Sequence, residues 1–382
     1  MANLSELLAS VKGLIAGSQE LVGVDIGSYA AKAVWLSVTE KTCKLKGWGY
    51  APYPMKPDTP VEEKKLIIAQ TLKDLLKKNA ITGKAAATSV SGNAVIVRYI
   101  MLPRIAKQDI AAVLPTEAEP FIPFDINEVY LGHHVLGEVT EDGQKKMEMV
   151  LVAAKKDLIK EKMEIFDAAG INPVVIDVDS FTLETVAGRL GHPVEGPAVM
   201  ILNIGHKATN LSIIEKGVTR VARDIFIGGN AFTKAISKNL GIEPDKAEEL
   251  KRKYGIRLQA PVEPAAAAAE ASAPAQAESE EAKVANILHD VFKDLMGEIK
   301  RSLDFYFSQG PDRTVGKVFL SGGSANMLNL ADIVSSELKI PVEVMNPLAI
   351  LTEQPKEAVP GEALPALTVA AGLALRKMWD WE

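Results

Sequence analysis

The chain has 382 residues, of which 47% are hydrophobic and 24% charged. That length exceeds what one hydrophobic core usually supports, so we expect two lobes of an ordinary globular protein. The formal net charge of −6 argues against a nucleic-acid-binding protein and against a broadly cationic protein surface that binds membranes. A single cysteine, Cys43, excludes a disulfide framework and suits a reducing cytoplasm. No apolar run approaches the roughly 20 residues that cross a bilayer, and we expect no secretory signal at the start.

Residues 3–17 place their apolar side chains at helical spacing, which predicts an amphipathic helix. Glu6 and Lys12 are the charges on its polar face. Three roles stay open: a helix docked on its own domain, a partner-binding helix, or a foot on a membrane surface.

Residues 21–36 predict a β-hairpin, with an apolar strand, a turn at Gly27 and Ser28, and a second apolar strand. Asp25 lies two residues before the turn, where it can point at whatever lies over it. Gly27 can accept positive φ and lets a ligand approach its N–H groups. Turn amides bind anions, and a carboxylate beside them suits a Mg²⁺ ion carried in by phosphates. One such hairpin alone is weak evidence for phosphate binding, so the presence of a second hairpin is important.

Residues 43–53 predict a third strand and residues 62–79 a helix. From residue 84 to 154 we expect strands at 87–91, 94–102, 129–136 and 146–154. Residues 108–114 predict a helix that Pro115 should break or kink, because proline cannot donate the backbone hydrogen bond. His133 and His134 alternate across a strand without partner ligands, so a metal role is not favoured.

Residues 156–169 predict an amphipathic helix. Residues 174–178 predict a short, continuously apolar strand of the kind found inside parallel sheets. Asp179 and Ser180 then open a helix that continues through residues 181–190.

Residues 198–214 repeat the opening pattern: an apolar strand, the polar residue Asn203, isoleucine, Gly205, a turn and a second strand. Two hairpins of one design, one in each half, indicate an internal duplication. Paired hairpins can hold a phosphate chain from both sides. This doubling is the strongest signal in the sequence.

Residues 217–227 predict a further strand, and Gly228 and Gly229 precede a helix through residue 239. A double glycine here leaves the first helical N–H groups free for an anion. Residues 247–255 predict a charged helix, for which a solvent-exposed face is a sufficient explanation. Residues 261–283 are low in complexity and predict a disordered loop.

A long helix is predicted at residues 284–308, a strand from residue 317, a helix at 327–338, a strand at 341–345 and a closing helix at 367–378. Gly322 and Gly323 end one strand and offer a flat surface to a planar ring, at the sheet edge where ligands collect. Trp379 and Trp381 form either a terminal plug or a partner contact.

Together these segments, from residue 21 to 377, resemble the actin-like ATPase superfamily. Residues 25–28 with Lys32 are similar to its first phosphate motif, residues 203–212 to the second, and residues 322–324 with Met327 to the adenosine motif. The resemblance implies ATP and Mg²⁺ in a cleft between two lobes. Asp25 would hold Mg²⁺ through water, and Asp179 is a further candidate catalytic carboxylate. The implied nucleotide-binding residues are Gly27, Ser28, Lys32, Asn203, Gly205, Thr209, Gly228, Gly229, Thr233, Glu248, Lys251, Arg252, Gly322, Gly323, Ser324 and Met327.

Within this set, the resemblance assigns phosphate donors to Gly27, Ser28, Gly205 and Thr209. Lys32 would reach the phosphates or remain a surface lysine. The ribose and adenine would be held by Glu248, Lys251 and Arg252 above the two glycines at 322 and 323.

Three departures from the superfamily pattern bear on hydrolysis. Asn203 stands where an aspartate is usual, which removes one anion that would hold Mg²⁺. Asp179 is one methylene shorter than the glutamate of many relatives. His206 can meet a phosphate or be an exposed turn histidine. We expect nucleotide binding to persist and ATPase activity to be weak or absent.

Residues 84–154 lie where FtsA and its relatives carry their distinctive subdomain. Residues 96–103, 117–124 and 364–376 are similar to the PilM family, cytoplasmic actin-like proteins of type IV pilus machines. The resemblance implies an α/β, actin-like ATPase fold of two lobes, with this subdomain inserted in lobe 1. It also implies a scaffold at the inner membrane, held there by protein partners, that grips the N-terminal tail of PilN between the first lobe and the insertion. The pilus motor ATPase and platform protein are further implied partners, and an oligomer is possible.

The expected domains are an N-terminal helix at 1–20, a lobe 1 core at 21–83 and 155–196 closed by 365–382, and the inserted subdomain at 84–154. The lobe 2 core is expected at 197–240 and 314–364, with a helical subdomain at 241–313 that contains the loop 261–283. Two rival functions stay open. An FtsA-like polymerising protein would usually carry a basic membrane tail, and a small-molecule kinase would need a catalytic base and substrate pocket.

Overall fold

The computed structural model describes residues 19–56, 59–83, 85–141, 143–192, 195–257, 279–355 and 357–376. The helix predicted at 3–17, residues 261–278 of the predicted loop and the two C-terminal tryptophans lie outside the described residues. The chain divides into two compact units. Unit 1 holds the described residues within Met1–Leu190, Leu348–Ala358 and Val369–Glu382, and unit 2 those within Gly191–Pro347 and Val359–Thr368.

Strands and helices of the described residues are numbered here in chain order. The strands are β1 (Gln19–Ile26), β2 (Ala30–Val38), β3 (Cys43–Pro52), β4 (Ala85–Val90), β5 (Val95–Pro103), β6 (Val129–Glu141), β7 (Gln144–Lys155), β8 (Asn172–Val178), β9 (Ala198–Ile204), β10 (Thr209–Glu215), β11 (Val218–Ile225), β12 (Val315–Ser321) and β13 (Val342–Val344). The helices are α1 (Val61–Lys78), α2 (Ile110–Ala118), α3 (Lys156–Ala169), α4 (Asp179–Arg189), α5 (Gly229–Leu240), α6 (Pro244–Tyr254), α7 (Glu280–Ser308), α8 (Leu330–Leu338) and α9 (Thr368–Ala374).

The core of unit 1 is a five-stranded sheet in the order β3-β2-β1-β4-β8. The first three strands form an antiparallel meander, and β4 and β8 continue the sheet in parallel. On one face, Val22 and Val24 of β1 share a buried cluster with Leu72 of α1 and Phe166 of α3. On the other, Gly23 lies so close to Ala370 of α9 that no side chain fits there. Successive residues of β1 therefore point to opposite faces of the sheet, and both faces are packed.

The core of unit 2 is a sheet in the order β11-β10-β9-β12-β13. It too has three antiparallel strands followed by two parallel ones. Met200 and Leu202 of β9 are fully buried and share a cluster with Phe232 of α5 and Phe292 of α7. Both sheets have the same order and the same strand directions, and this confirms the predicted internal duplication.

Residues inserted between β4 and α3 form a smaller sheet in the order β5-β7-β6. One face of this sheet packs on α2, where Ile110 and Leu114 join Met149 and Leu151 in a buried cluster. Alternation along β7 turns the other face toward residues Val178 and Phe181 of the unit 1 core.

Pro115 does not break the helix that was predicted to end before it. Helix α2 runs from Ile110 to Ala118 with Pro115 inside. Proline lacks only the N–H directed to the preceding turn, and its carbonyl still accepts a hydrogen bond from the N–H of Glu119. The helix therefore continues for another turn.

Strand β8 runs parallel to β4, as predicted, but it lies at the edge of the sheet and not inside it. Val174 is 39% exposed. A continuous apolar run does not by itself separate an edge strand from an interior one, and here the prediction of an interior strand is wrong.

Two helix starts also differ from the sequence prediction. Helix α7 begins at Glu280, inside the predicted disordered loop, because the Ser279 side chain accepts from the N–H of Ala282 and caps the helix. Helix α8 begins at Leu330 and not at residue 327, since residues 322–328 form turns after β12.

Candidate functional site

The first hairpin places a carboxylate and an ammonium side by side before its turn. Asp25 of β1 lies directly across from Lys32 of β2, and Lys32 Nζ donates to Asp25 Oδ2 at 2.8 Å. Their side chains are only 16% and 14% exposed, so Lys32 is not the surface lysine that the sequence left open. The charge pair is thus held in place before any ligand arrives.

Gly27 does not adopt positive φ, and a side chain there would crowd the end of the Lys32 side chain. It is absent from the described glycines with positive φ, which corrects the backbone freedom expected there. A Cβ at Gly27 would lie 2.5 Å from Lys32 Nζ. The Gly27 N–H donates to Ala30 O at 3.2 Å, so it is already used within the turn. Ser28 is exposed at the tip of the turn.

Asp179 lies with two residues that the sequence analysis missed, Ser89 and Lys162. Ser89 Oγ, at the carboxyl end of β4, donates to Asp179 Oδ1 at 2.6 Å. Lys162 Nζ of α3 donates to the backbone carbonyl of Ser89. No short motif links these residues, which lie 90 and 73 positions apart. Their only sequence signal is that Ser89 lies near the carboxyl end of one predicted strand and Asp179 directly after another, and the carboxyl ends of parallel strands meet at one sheet edge.

The charges of this group interact strongly. Burial and the neighbouring Asp25 carboxylate raise the pKa of Asp179 to about 6, against the lowering effect of Ser89, Ser91 and Lys162. Burial lowers the pKa of Lys162, while Asp179 and Asp25 oppose that change. A carboxyl that titrates near neutral pH beside a second carboxylate is suited to proton transfer or to a cation. We call Asp25, Lys32, Ser89, Lys162 and Asp179 the acidic cluster.

The acidic cluster fits a Mg²⁺ ion that keeps most of its waters and arrives with phosphates. Such an ion needs only one or two protein carboxylates, and Asp25 and Asp179 supply two. Among the described residues, no three His, Cys, Asp or Glu side chains come together as a metal site. His133 and His134 are therefore in no such group either.

The second hairpin repeats the geometry of the first with neutral side chains. Asn203 lies across from Asn210, and Asn203 Nδ2 donates to Asn210 Oδ1 at 2.8 Å. Asn210 Nδ2 continues the chain to Asp224 Oδ1 at 2.6 Å. The Gly205 N–H donates to Ala208 O at 2.9 Å, the counterpart of the bond in the first turn. Both halves therefore build one turn, but only the first places a charge pair beside it.

The N–H groups that the sequence assigned to an anion at the start of α5 are already occupied. The Gly229 N–H donates to Gly205 O at 2.9 Å, and the Asn230 N–H donates to His206 O at 2.8 Å. Gly228 has no Cβ, and one would overlap these same loop carbonyls. The prediction that the double glycine leaves free donors is wrong, because the second hairpin's turn docks on the helix start and takes them.

Thr209 is also committed to the fold. It is fully buried, and its Oγ1 donates to Ile227 O at 2.7 Å. Among the described residues, the N–H groups of Lys207 and Ala208 carry no hydrogen bond. These two turn amides are the backbone donors available to an anion at this hairpin.

Three of the residues predicted to hold ribose and adenine form a network with Thr233. Lys251 Nζ lies 2.6 Å from Glu248 Oε2, 2.9 Å from Thr233 Oγ1 and 3.1 Å from Gly229 O. Arg252 Nε donates to Glu248 Oε1 at 3.0 Å. Burial alone would raise the pKa of Glu248, but the Lys251 ammonium and the hydrogen bonds lower it. Lys251 is 8% exposed, so α6 is more than a solvated charged face.

The Gly322 and Gly323 segment joins the second hairpin to the end of β12. Gly322 has a φ of +85°, and the space beside it is filled by the Ile204 carbonyl. A Cβ at Gly323 would meet nothing within 4 Å, so this glycine faces open space. Ser324 N–H donates to Ile204 O at 3.0 Å, and its Oγ donates to Gly205 O at 3.2 Å. The side chain of Met327 packs in the core of unit 2.

The pKa of His206 reflects the charges around the second hairpin's turn. It is half-buried, and its pKa is lowered by burial and by the charges of Lys251, Lys207 and Lys234, against the effect of Glu248. Three cations therefore act on this turn, which suits an anionic ligand.

The repeated sheet, the paired hairpin turns and the acidic cluster at the strand ends define an α/β protein of the actin-like ATPase fold. Two solved structures share this fold at 14% identity and a TM-score of 0.50. One is the ethanolamine utilization protein EutJ from Carboxydothermus hydrogenoformans, with 94% of this chain and 89% of that one covered. The other is MreB 5 of Spiroplasma citri bound to AMPPNP, with 93% of this chain and 94% of that one covered.

The chain belongs to the family of the type IV pilus assembly protein PilM, whose model matches residues 23–260. It is also similar to a solved PilM-PilN type IV pilus biogenesis complex, at 26% identity and a TM-score of 0.76, over 94% of this chain and 98% of that one.

The second half also matches the model of the cell division protein FtsA, over residues 200–372. The FtsA of Staphylococcus epidermidis is 21% identical over 202 residues, which are 51% of this chain and 42% of that relative. The match thus spans less than half of the relative's length.

Among the described residues, no helix combines the length and the hydropathy needed to span a membrane.

Proposed function

We propose that this chain is an ATP-binding scaffold of the type IV pilus assembly machine that binds the N-terminal tail of a PilN protein. The observation that supports it most is the likeness, over nearly the whole chain, to a chain of a solved PilM-PilN complex. The proposal places the protein in the cytoplasm, at the inner face of the membrane through its partners. It leaves the pilus motor ATPase and platform protein as further partners and twitching motility as the process served.

The proposed nucleotide contacts in unit 2 follow from its second hairpin. The amides of Lys207 and Ala208 would donate to phosphate oxygens, in a turn on which three lysine charges act. Gly323 faces open space and would lie under the base. Glu248 and Arg252 would reach the ribose, because Glu248 is 34% exposed while Lys251 beneath it is buried. In this proposal Lys251 and Thr233 position Glu248 without touching the ligand.

The proposed contacts in unit 1 are made by the acidic cluster. Asp25 would hold Mg²⁺ through water, and Lys32 would keep the carboxylate oriented or turn to a phosphate. Ser28 adds an exposed hydroxyl at the turn. Mg²⁺ supplies charge neutralisation of the phosphates. Since Asn203 and Asn210 pair as neutral amides, the second hairpin adds no carboxylate, and we propose slow or absent hydrolysis.

The tail would bind on one face of the inserted sheet. Directly opposite residues of an antiparallel pair point to the same side, so Val97 and Val152 share a face, as do Tyr99 and Val150. This face continues to Met101 on β5 and to Tyr130 on β6. We call Val97, Tyr99, Met101, Tyr130 and Val152 the tail face.

The tail face is apolar and incompletely covered. Val97, Tyr99 and Val152 are partly buried against Val178 and Phe181 of the unit 1 core. Met101 is 45% and Tyr130 57% exposed. Because β5 is an edge strand of this sheet, an extended peptide could pair with it while its side chains enter the apolar face. This arrangement suits a short tail held by backbone bonds and a few pockets.

The experiment uses a labelled PilN tail peptide and fluorescence polarisation. Met101→Ser and Tyr130→Ser change exposed side chains and should preserve the fold, yet weaken binding about tenfold each through lost apolar burial. Leu66→Ser, at a site 68% exposed on α1, is the matched control. Deletion of residues 92–154, which removes most of the inserted sheet but leaves β4 in the unit 1 sheet, should abolish binding. If the peptide binds all variants alike, or never binds the wild type, the tail assignment is wrong.

A second candidate function is an FtsA-like polymerising protein, favoured by the FtsA match over residues 200–372. Sedimentation with and without ATP separates the two. A scaffold stays in the supernatant, whereas a polymer pellets with nucleotide. A phosphoryl-transfer screen would test the remaining rival, a small-molecule kinase.

A further inference from the structure

Tyr53 is a buried tyrosine beside the first hairpin whose hydroxyl has no explained role. It directly follows β3, and its N–H donates to Tyr29 O at 2.9 Å, which fixes its backbone next to the turn. The ring packs in the unit 1 core with Val24 of β1 and Phe166 of α3. The residue is 8% exposed, and within the described structure its hydroxyl finds no hydrogen-bond partner.

A buried hydroxyl without a partner is unusual and calls for an explanation, because it loses its water and gains nothing in return. The hydroxyl is close enough to Asp25 for that charge to act on it. Burial and the Asp25 charge both raise the pKa of Tyr53, so the group is a neutral O–H donor at physiological pH. The Asp25 oxygen Oδ2 is already taken by Lys32.

Other charged groups approach the same place. Lys162 lies one helical turn before Phe166 on α3, and the charges of Asp25, Asp179 and Lys32 all act on it. Tyr53 packs with Phe166, Lys162 lies one turn from Phe166, and the Asp25 charge acts on both groups. A buried donor beside the first hairpin, close enough for the Asp25 charge to act on it, is explained if its acceptor arrives with a ligand.

We propose that Tyr53 is a ligand-contacting residue of the acidic cluster: its hydroxyl donates to an oxygen of the bound magnesium nucleotide, either a phosphate oxygen or a water on the ion. This inference rests on the proposed function. It adds a residue that neither the hairpin motif nor its spacing indicates, and it explains why tyrosine and not phenylalanine fills this core position.

The test compares Tyr53→Phe with the wild type by isothermal titration with MgATP, together with the melting temperature of the free protein. The variant keeps the ring and removes only the unpartnered hydroxyl. The melting temperature should stay the same or rise, while the affinity for MgATP falls about tenfold, as for loss of one bond to a charged group.

The matched control is Tyr306→Phe in unit 2, where the hydroxyl does have a partner, Glu215 Oε1 at 3.1 Å. It should lower the melting temperature and leave the affinity unchanged. Repeating the titration with ATP and no magnesium separates the two acceptors, because a contact to the phosphate persists and a contact to ion-bound water is lost.

Equal affinity of the wild type and Tyr53→Phe would overturn the inference and leave the proposed function standing. A fall in both affinity and melting temperature would assign a structural role and overturn it as well. If the wild type binds no nucleotide, the proposed function and the inference fail together.

Discussion

Lys32 lies directly across the first hairpin from Asp25, with its Nζ 2.8 Å from Asp25 Oδ2. The equivalent positions of the second hairpin hold Asn203 and Asn210, whose amides also meet at 2.8 Å. Both pairs are seven residues apart. The duplicated halves thus share the geometry of the turn, while the first places a charge pair at these positions and the second a pair of neutral amides.

Asp25→Asn should weaken binding of MgATP at least tenfold and have less effect on ATP without magnesium. An amide keeps the hydrogen bond from Lys32 but removes the anion that holds the hydrated ion. Titration calorimetry with and without Mg²⁺ measures both affinities. The control is Glu353→Gln, which changes another lysine-paired carboxylate of unit 1 at an exposed site (Lys44 Nζ to Glu353 Oε2, 2.9 Å). Equal losses in both variants would contradict the assignment.

Asp179→Asn should stabilise the free protein above pH 6. The pKa of Asp179 is raised to about 6 in the fold, so the folded state binds more protons than the unfolded state between about pH 4 and 6. Its stabilising contribution is therefore complete below the unfolded pKa and is lost as pH rises through 6. We expect a gain of about 1–2 kcal/mol for a half-buried carboxyl.

The measurement is the melting temperature of wild type and Asp179→Asn at pH 5 and pH 7.5. The gain should be larger at pH 7.5. In Asp25→Asn the pH-dependent loss should shift to lower pH, because the Asp25 charge contributes to the raised pKa of Asp179. A gain that is independent of pH would show that Asp179 titrates normally.

His206 should become more basic when nucleotide binds. Burial and the Lys251, Lys207 and Lys234 charges lower its pKa in the free protein, and a nearby polyphosphate would offset those cations. NMR titration of the imidazole with and without MgATP measures the change. His192 is the control, because its pKa is lowered by burial and by Lys317, away from this turn. A pKa of His206 that does not move would place the phosphates elsewhere.

Glu248→Gln should destabilise the protein more than Lys251→Met. Removing the carboxylate leaves a buried ammonium with only neutral acceptors, Thr233 Oγ1 and Gly229 O, which costs about 1–3 kcal/mol. Removing the ammonium leaves Glu248 still paired with Arg252 and partly exposed. Urea unfolding measures both. Glu249→Gln, in the exposed pair with Lys246, should change stability little. If Lys251→Met destabilises the protein more than Glu248→Gln, Lys251 is not held as a charged group.

The sequence predicts the hairpin that begins each half, because both hairpins show apolar strands separated by a turn with a glycine. The strands predicted at 129–136 and 146–154 are found as the β6–β7 pair. Local patterns fail where the outcome depends on a distant segment. The N–H of Gly229 is taken by Gly205, 24 positions earlier, and no feature of the double glycine reveals this.

The same limit applies to the candidate site. Asp25 is marked by its hairpin, whereas Ser89, Lys162 and Tyr53 come to the site through strand pairing and helix packing. Lys162 looks like one more polar residue of an amphipathic helix until α3 is packed beside β4. Tyr53 looks like an ordinary core aromatic until its hydroxyl is seen to lack a partner.

The central claim is that this chain binds an adenine nucleotide, and titration of the full chain with MgATP tests it most directly. The account predicts saturable one-to-one binding that weakens when magnesium is removed. No heat and no saturation up to millimolar MgATP, with the protein folded, would contradict it.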